Sequence, residues 1–134
     1  MMTNAEARLA INNRIKAFTG ITQDRIQWPN QPNFKPPTTG LWIRVTIQYG
    51  DSVQAGLHYG TIERDNGLLT ISCFARKGTG DKDLVALADN WRSHFKGWNS
   101  SFLEITQTNA PTDINHELDT DFVGSLVRVF FRIN

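Results

Sequence analysis

The stretch Leu41-Trp42-Ile43-Arg44-Val45-Thr46-Ile47-Gln48-Tyr49 decides the fold class. Leu41, Ile43, Val45, Ile47 and Tyr49 alternate with Trp42, Arg44, Thr46 and Gln48, the period-two pattern of a strand with one face inside. Downstream, two strand-like runs flank Asn66-Gly67, a dipeptide suited to a type I′ turn because both central residues there need positive φ. A turn at that point predicts pairing of Arg64 with Leu69, Ile62 with Ile71 and Gly60 with Cys73. Ile62, Leu69, Ile71 and Cys73 then share an apolar face, while Glu63, Thr70 and Ser72 face water. Residues 50–57 read as a polar loop between these strands.

Working outward, Thr3 followed by Glu6 forms a capping-box pattern, and Ala7, Ile11, Ile15 and Phe18 recur at helical spacing before Gly20. This predicts an N-terminal amphipathic helix. Residues 25–28 leave room for a minor strand only, and Pro29, Pro32, Pro36 and Pro37 then mark an extended loop over 29–40. After Gly78 and Gly80, the residues Leu84, Leu87, Ala88, Trp91 and Phe95 form the stripe of a second helix that ends near Gly97. Residues 102–108 predict a strand, 109–121 an acidic loop around Pro111, and 122–133 a long strand interrupted by Gly124. The sum is a single α+β domain over residues 1–134, a largely antiparallel sheet with an N-terminal helix and a second helix packed on it.

The 134 residues are 40% hydrophobic and 20% charged, and four tryptophans with eight phenylalanines supply bulky core material. Fourteen basic against thirteen acidic side chains leave a formal charge of +1, which gives a generic grip on nucleic acid or anionic membrane little support. The first ten residues lack the apolar run of a secretory signal, and no stretch approaches the ~20 apolar residues of a membrane span. The chain is therefore expected in the cytosol when made, without membrane partners. One cysteine excludes an internal disulfide framework and any multi-cysteine zinc site.

Chemistry is hard to find. His58, His94 and His116 are scattered, and His116-Glu117 lacks a second histidine four residues on, so no metal site is predicted. Cys73 falls on the apolar face beside Ile71, where a small packed thiol explains it better than a nucleophile does. Gly78-Thr79-Gly80-Asp81-Lys82 lacks the spacing of a phosphate loop and reads as a flexible approach to the second helix. Asp113, Glu117, Asp119 and Asp121 lie in a turn-rich segment suited to solvated charge, and no GxSxG elbow is present. Neither a catalytic group nor a cofactor site is predicted. Trp42 and Arg44 share the outward parity of their strand, as a nucleic-acid stacking platform, a contact surface or packing under a helix, of which contact or packing is favoured, and Trp28 beside the prolines is a partner anchor or a cover for the core edge.

Resemblance carries the reading further. Ile26-Gln27-Trp28-Pro29-Asn30, then Phe34-Lys35-Pro36-Pro37, then Leu41-Trp42-Ile43-Arg44-Val45-Thr46 resembles the opening of the small tail-terminator proteins of long-tailed bacteriophages. Asn66-Gly67-Leu68-Leu69-Thr70-Ile71-Ser72-Cys73-Phe74-Ala75, followed by Lys77-Gly78-Thr79-Gly80 and Leu84, Ala86, Leu87, Ala88 and Phe95, is similar to that family's strand, small-residue loop and helix. The resemblance runs over residues 5–97 in collinear order.

It implies a structural virion protein that is not an enzyme. Such a protein forms a ring, typically of six subunits, on the head-proximal end of the tail tube, stops tube growth and offers a surface to the head. The implied partners are further copies of the chain, the tail tube protein and a head-tail connector or neck protein, with DNA only passing through the lumen. A near-neutral chain suits that passage, since a strongly basic lumen would hold the DNA. The expected interface lies in residues 29–40, residues 50–57 and the solvent-facing side of the hairpin, with Trp28, Phe34, Trp42 and Arg44 as candidate contact residues. Two other readings differ in class: another neck protein, such as a head-closure or adaptor subunit, and a small ligand-binding or hydrolytic domain with a concave polar pocket.

Overall fold

A computed structural model describes residues 3–31, 34–37, 39–54, 63–76, 78, 82–100, 102–114 and 122–133. The chain opens with helix α1, Asn4–Lys16. Thr3 is its N-cap, and its hydroxyl accepts from the Glu6 amide at 3.1 Å, satisfying one of the donors that a helix start leaves unpaired. Ala7, Ile11 and Ile15 are buried, as their spacing predicts. A single 3-10 turn, Gln23–Arg25, leads into β1, Ile26–Gln27.

β1 is short for a local reason. Trp28, Pro29, Asn30 and Gln31 form a tight turn in which the Gln31 amide donates to the Trp28 carbonyl at 3.2 Å, with Asn30 at φ +57°. Proline in the second position and asparagine at positive φ in the third are the preferences of a type II turn, and proline cannot donate to a ladder.

β2 (Trp42–Gln54), β3 (Glu63–Arg76), α2 (Lys82–Phe95), β4 (Asn99–Ser100), β5 (Leu103–Thr108), β6 (Thr112–Ile114) and β7 (Phe122–Ile133) follow. The strands form one seven-stranded sheet in the order β1-β2-β3-β7-β5-β4, with β6 beside the other half of β7. Every pairing is antiparallel except that of β1 with β2. The α+β class with two helices on a largely antiparallel sheet is thus the observed architecture.

Two parts of the sequence reading are corrected. Asn66-Gly67 is not a turn: it lies inside β3, where Gly67 pairs with Tyr49 on one side and Phe131 on the other. Ile71 pairs with Val45 and Val127, and Cys73 with Ile43 and Ser125, so the partners expected from a turn are replaced. The physical reason is that β3 is hydrogen-bonded along both edges, and two ladders outweigh one dipeptide's turn preference. Glycine is needed here for space, since a Cβ on Gly67 would meet Phe131 Cζ at 2.1 Å. The second correction concerns residues 50–57, read as a loop: β2 runs on to Gln54. Its register shifts between Tyr49 and Ser52, a bulge opposite Asn66, and there a Cβ on Gly50 would stand 3.0 Å from the Asn66 carbonyl oxygen. Gly60, Ile62, His58, His116 and the run 79–81 lie outside the described residues.

The core lies on one face of the sheet. Ile43 and Val45 of β2, Leu69, Ile71 and Cys73 of β3, and Val127, Val129, Phe131 and Ile133 of β7 meet the buried stripes of α1 and α2. Trp91 of α2 is fully buried and stacks on Phe18 with ring centroids 3.8 Å apart.

A reciprocal clasp joins the two helices: Arg14 donates through Nε and Nη2 to the His94 carbonyl, at 3.2 and 2.7 Å, and His94 Nε2 donates to the Arg14 carbonyl at 2.6 Å. Burial holds the His94 pKa below its ordinary value of 6.5; the Arg14 carbonyl opposes that shift and the Arg14 charge adds to it. The unfolded chain therefore takes up this proton first as pH falls. Stability from this site is present in full above about 6.5 and declines as pH drops from there towards the folded-state value. Urea midpoints measured from pH 8 to pH 5 are expected to fall less in His94→Gln than in the parent; an identical decline in both would refute the assignment.

Candidate assembly surfaces

The opposite face of the sheet carries no helix among the described residues. It is built from the other parity of each strand: Trp42, Arg44, Thr46 and Gln48 of β2; Leu68, Thr70, Ser72, Phe74 and Arg76 of β3; Phe122, Leu126, Arg128, Phe130 and Arg132 of β7. One end holds an aromatic cluster. Trp42 stacks on Phe74 at 4.4 Å, meets the edge of Phe122 at 5.5 Å, and is capped by Phe34 at 5.4 Å. Two arginines lie on these rings, Arg44 with Cζ 5.2 Å from the Phe74 centroid and Arg76 with Cζ 4.6 Å from that of Phe122.

The segment carrying Phe34 is tied down from both sides. Arg76 Nη2 donates to the Pro37 carbonyl at 3.4 Å, and Arg25 Nη1 donates to the carbonyls of Thr39 and Leu41 at 2.8 and 3.1 Å. The far end of the bare face opens into a trough of about 660 Å³, lined by Gln48, Tyr49, Gly50, Asn66, Leu68 and Phe130 at the bulge.

The four candidate contact residues fall in two places. Phe34, Trp42 and Arg44 are brought together in the aromatic cluster, where Trp42 is only 2% exposed and its indole N–H finds no hydrogen-bond partner among the described residues. Within the subunit, then, Trp42 packs. Trp28 sits beyond the edge of β2, half-buried against the core with Lys16 over its ring, and it shares with the exposed Arg44 the lining of a small groove of about 180 Å³. Arg44 Nε donates to Gln27 Oε1 at 3.0 Å across that edge. Sequence reasoning missed Phe74 and Phe122 as partners of Trp42. Their parity, opposite to Cys73 and Val127, was the available signal, but the misplaced turn hid which strands lie side by side.

Reactive groups are held apart from both surfaces. Cys73 is fully buried on the helix side, and burial pushes its thiol up to about 12. Labelling of the native protein by a thiol reagent at pH 8 is expected to proceed only as fast as the fold opens, and to completion in denaturant. Rapid native labelling would overturn that placement. His94 is occupied in the helix clasp, and no group of three metal-ligating side chains occurs among the described residues.

One face of the sheet is thus committed to helices, and the other, among the described residues, is an aromatic and polar surface. The family model described as phage tail terminator protein matches residues 6–118, and the chain belongs to that family. It is accordingly a structural protein of the phage tail. The resemblance first seen over residues 5–97 is confirmed. A solved structure aligned over 100% of this chain and 97% of its own reaches a TM-score of 0.68 at 16% identity, a likeness of fold. No curated protein matches the sequence.

Proposed function

We propose that the protein ends growth of the tail tube by assembling as a ring, of six subunits, on the tube's head-proximal end, and that the ring then presents a surface for head joining. The observation that carries this reading is the family match over residues 6–118. The bare sheet face supports it, because a ring subunit needs broad exposed surfaces for its neighbours and for the tube. Its partners are other copies of itself, the tail tube protein and a neck protein on the head side, while DNA passes through the lumen. On the bare face Arg132 is paired with Glu104 at 3.0 Å, while Arg44 and Arg76 lie on aromatic rings and Arg128 is exposed.

Phage lacking this gene is expected to give overlong or headless tails, restored when the protein is supplied. Normal tails that still join heads would reject the proposal.

A further inference from the structure

The sheet ends in two open edges. β1 covers β2 only at Ile43 and Arg44, and among the described residues no strand lies on that side of residues 45–54. At the other end, among the described residues, β4 covers β5 only at Leu103 and Glu104, with the Asn99 side chain also accepting from the Ile105 amide at 3.2 Å. Each bare edge offers main-chain donors and acceptors to an incoming strand, and proteins that avoid such pairing guard their edges with proline, lysine or other charges. Here proline and lysine are missing, and the two edges differ from plain strands only by a bulge each, after Tyr49 in β2 and between Ile105 and Gln107 in β5. Residues 45–54 contain no proline or lysine and one charged residue, Asp51; Ile105-Thr106-Gln107-Thr108 is uncharged, and proline first enters at Pro111.

We propose that copies of this chain join edge to edge, β2 of one subunit over residues 45–49 taking as its next strand β5 of the neighbouring subunit over residues 105–108. This deepens the ring reading and rests on it. Three observations select this occupant. The first is direction: β2, β3, β7 and β5 alternate, so β5 runs opposite to β2 and a continued sheet brings the two together as an antiparallel pair. The second is height. Ile47 stands level with Leu69, Val129 and Thr108, and Tyr49 with Gly67, Phe131 and Ile105, so the two open stretches occupy the same band of the sheet.

The third is space. Because the turn at Pro29-Asn30 carries the chain away from β2, a groove of about 180 Å³ remains where β1 would have continued, lined by Trp28, Pro29, Asn30 and residues 45–47. A side chain of the added strand fits there. Since the two edges differ, each subunit uses both, and the contact propagates head to tail until it closes; an edge pairing with its own copy would stop at a dimer.

Gln48 and Gln107 are exposed and stand at one height through Leu68 and Phe130, which makes them the probe. Opposed residues of adjacent antiparallel strands have Cα atoms about 4.5 to 5.5 Å apart, within reach of a disulfide. Gln48→Cys with Gln107→Cys, oxidised at high protein concentration and again on purified tail tubes, is expected to give a ladder of linked subunits rising to a closed ring. Its yield should exceed that of either single variant by about tenfold or more, because bound neighbours raise the effective concentration of the second thiol. Thr46→Cys with Gln107→Cys covers a sheet that steps by two residues between subunits.

Equal cross-linking by Gln48→Cys alone would mean that β2 pairs with itself and would overturn the proposal. Rings visible on tube ends whose double variants fail to cross-link in either register would overturn the edge assignment and leave the ring reading intact. Tube ends that never bind the protein would overturn both.

Discussion

Trp91→Ala is expected to destabilise the subunit by about 3 to 5 kcal/mol, read from urea unfolding followed by circular dichroism. The residue is fully buried in the C-terminal half of α2, stacked on Phe18 and edge-on to His94, so truncation removes both transfer free energy and aromatic contact. It also opens a cavity beneath the Arg14–His94 clasp. The indole N–H, however, finds no partner among the described residues, and a buried donor left unpaired costs about 1 to 3 kcal/mol. Trp91→Phe keeps a ring and removes that donor. It should therefore cost less than half as much as alanine; equal losses in the two variants would show that the ring's packing is not what matters.

The second large effect is expected at Gly67. A methyl group there would lie 2.1, 2.5 and 2.8 Å from Cζ, Cε2 and Cε1 of Phe131, a ring that is itself buried in the core. Overpacking of this kind costs about 1 to 3 kcal/mol, and β3 is held on both edges, so Gly67→Ala should fall at the upper end of that range. Phe131→Leu is destabilising alone through lost volume, yet combined with Gly67→Ala it should recover part of the loss, an interaction energy of about 1 kcal/mol or more between neighbours across the ladder. Strict additivity of the two changes would contradict the cross-strand placement and revive a turn at Asn66-Gly67.

What could be read from the chain and what could not divide along a physical line. α1 and α2 were legible because Ala7, Ile11 and Ile15, and Leu84, Leu87, Ala88, Trp91 and Phe95, carry a periodicity that each helix satisfies within itself and buries on one side. β7 was legible over its full length because β-branched and aromatic residues dominate it on both sides of Gly124. Cys73 was placed on the correct face because parity along one strand needs no knowledge of its partners.

The failures came where a neighbour decides. Asn66-Gly67 has the local chemistry of a turn, and only Tyr49 and Phe131, distant in sequence, hold it extended. The continuation of β2 through Gly50 depends likewise on a bulge set against Asn66. At the candidate surface, Trp42 and Arg44 were identified by parity, but the rings of Phe74 and Phe122 that bury Trp42 arrive from other strands.

The position of β7 bears on how the protein is made. This strand is last among those described, yet it lies inside the sheet, with β3 on one side and β5 and β6 on the other. While the ribosome is still adding residues 122–133, β3 has its inner edge bare, β5 has only the two residues of β4 to lean on, and β6 has no strand beside it among the described residues. The helices then have only part of a floor to pack against. Folding must wait for the final strand to slot between elements made much earlier, a non-local closure that is slow and leaves the nascent chain open to sticking. Cells making the protein quickly are thus expected to need holding chaperones on its half-made form, and a chain cut short of residue 122 should be cleared by proteolysis without ever meeting a tail.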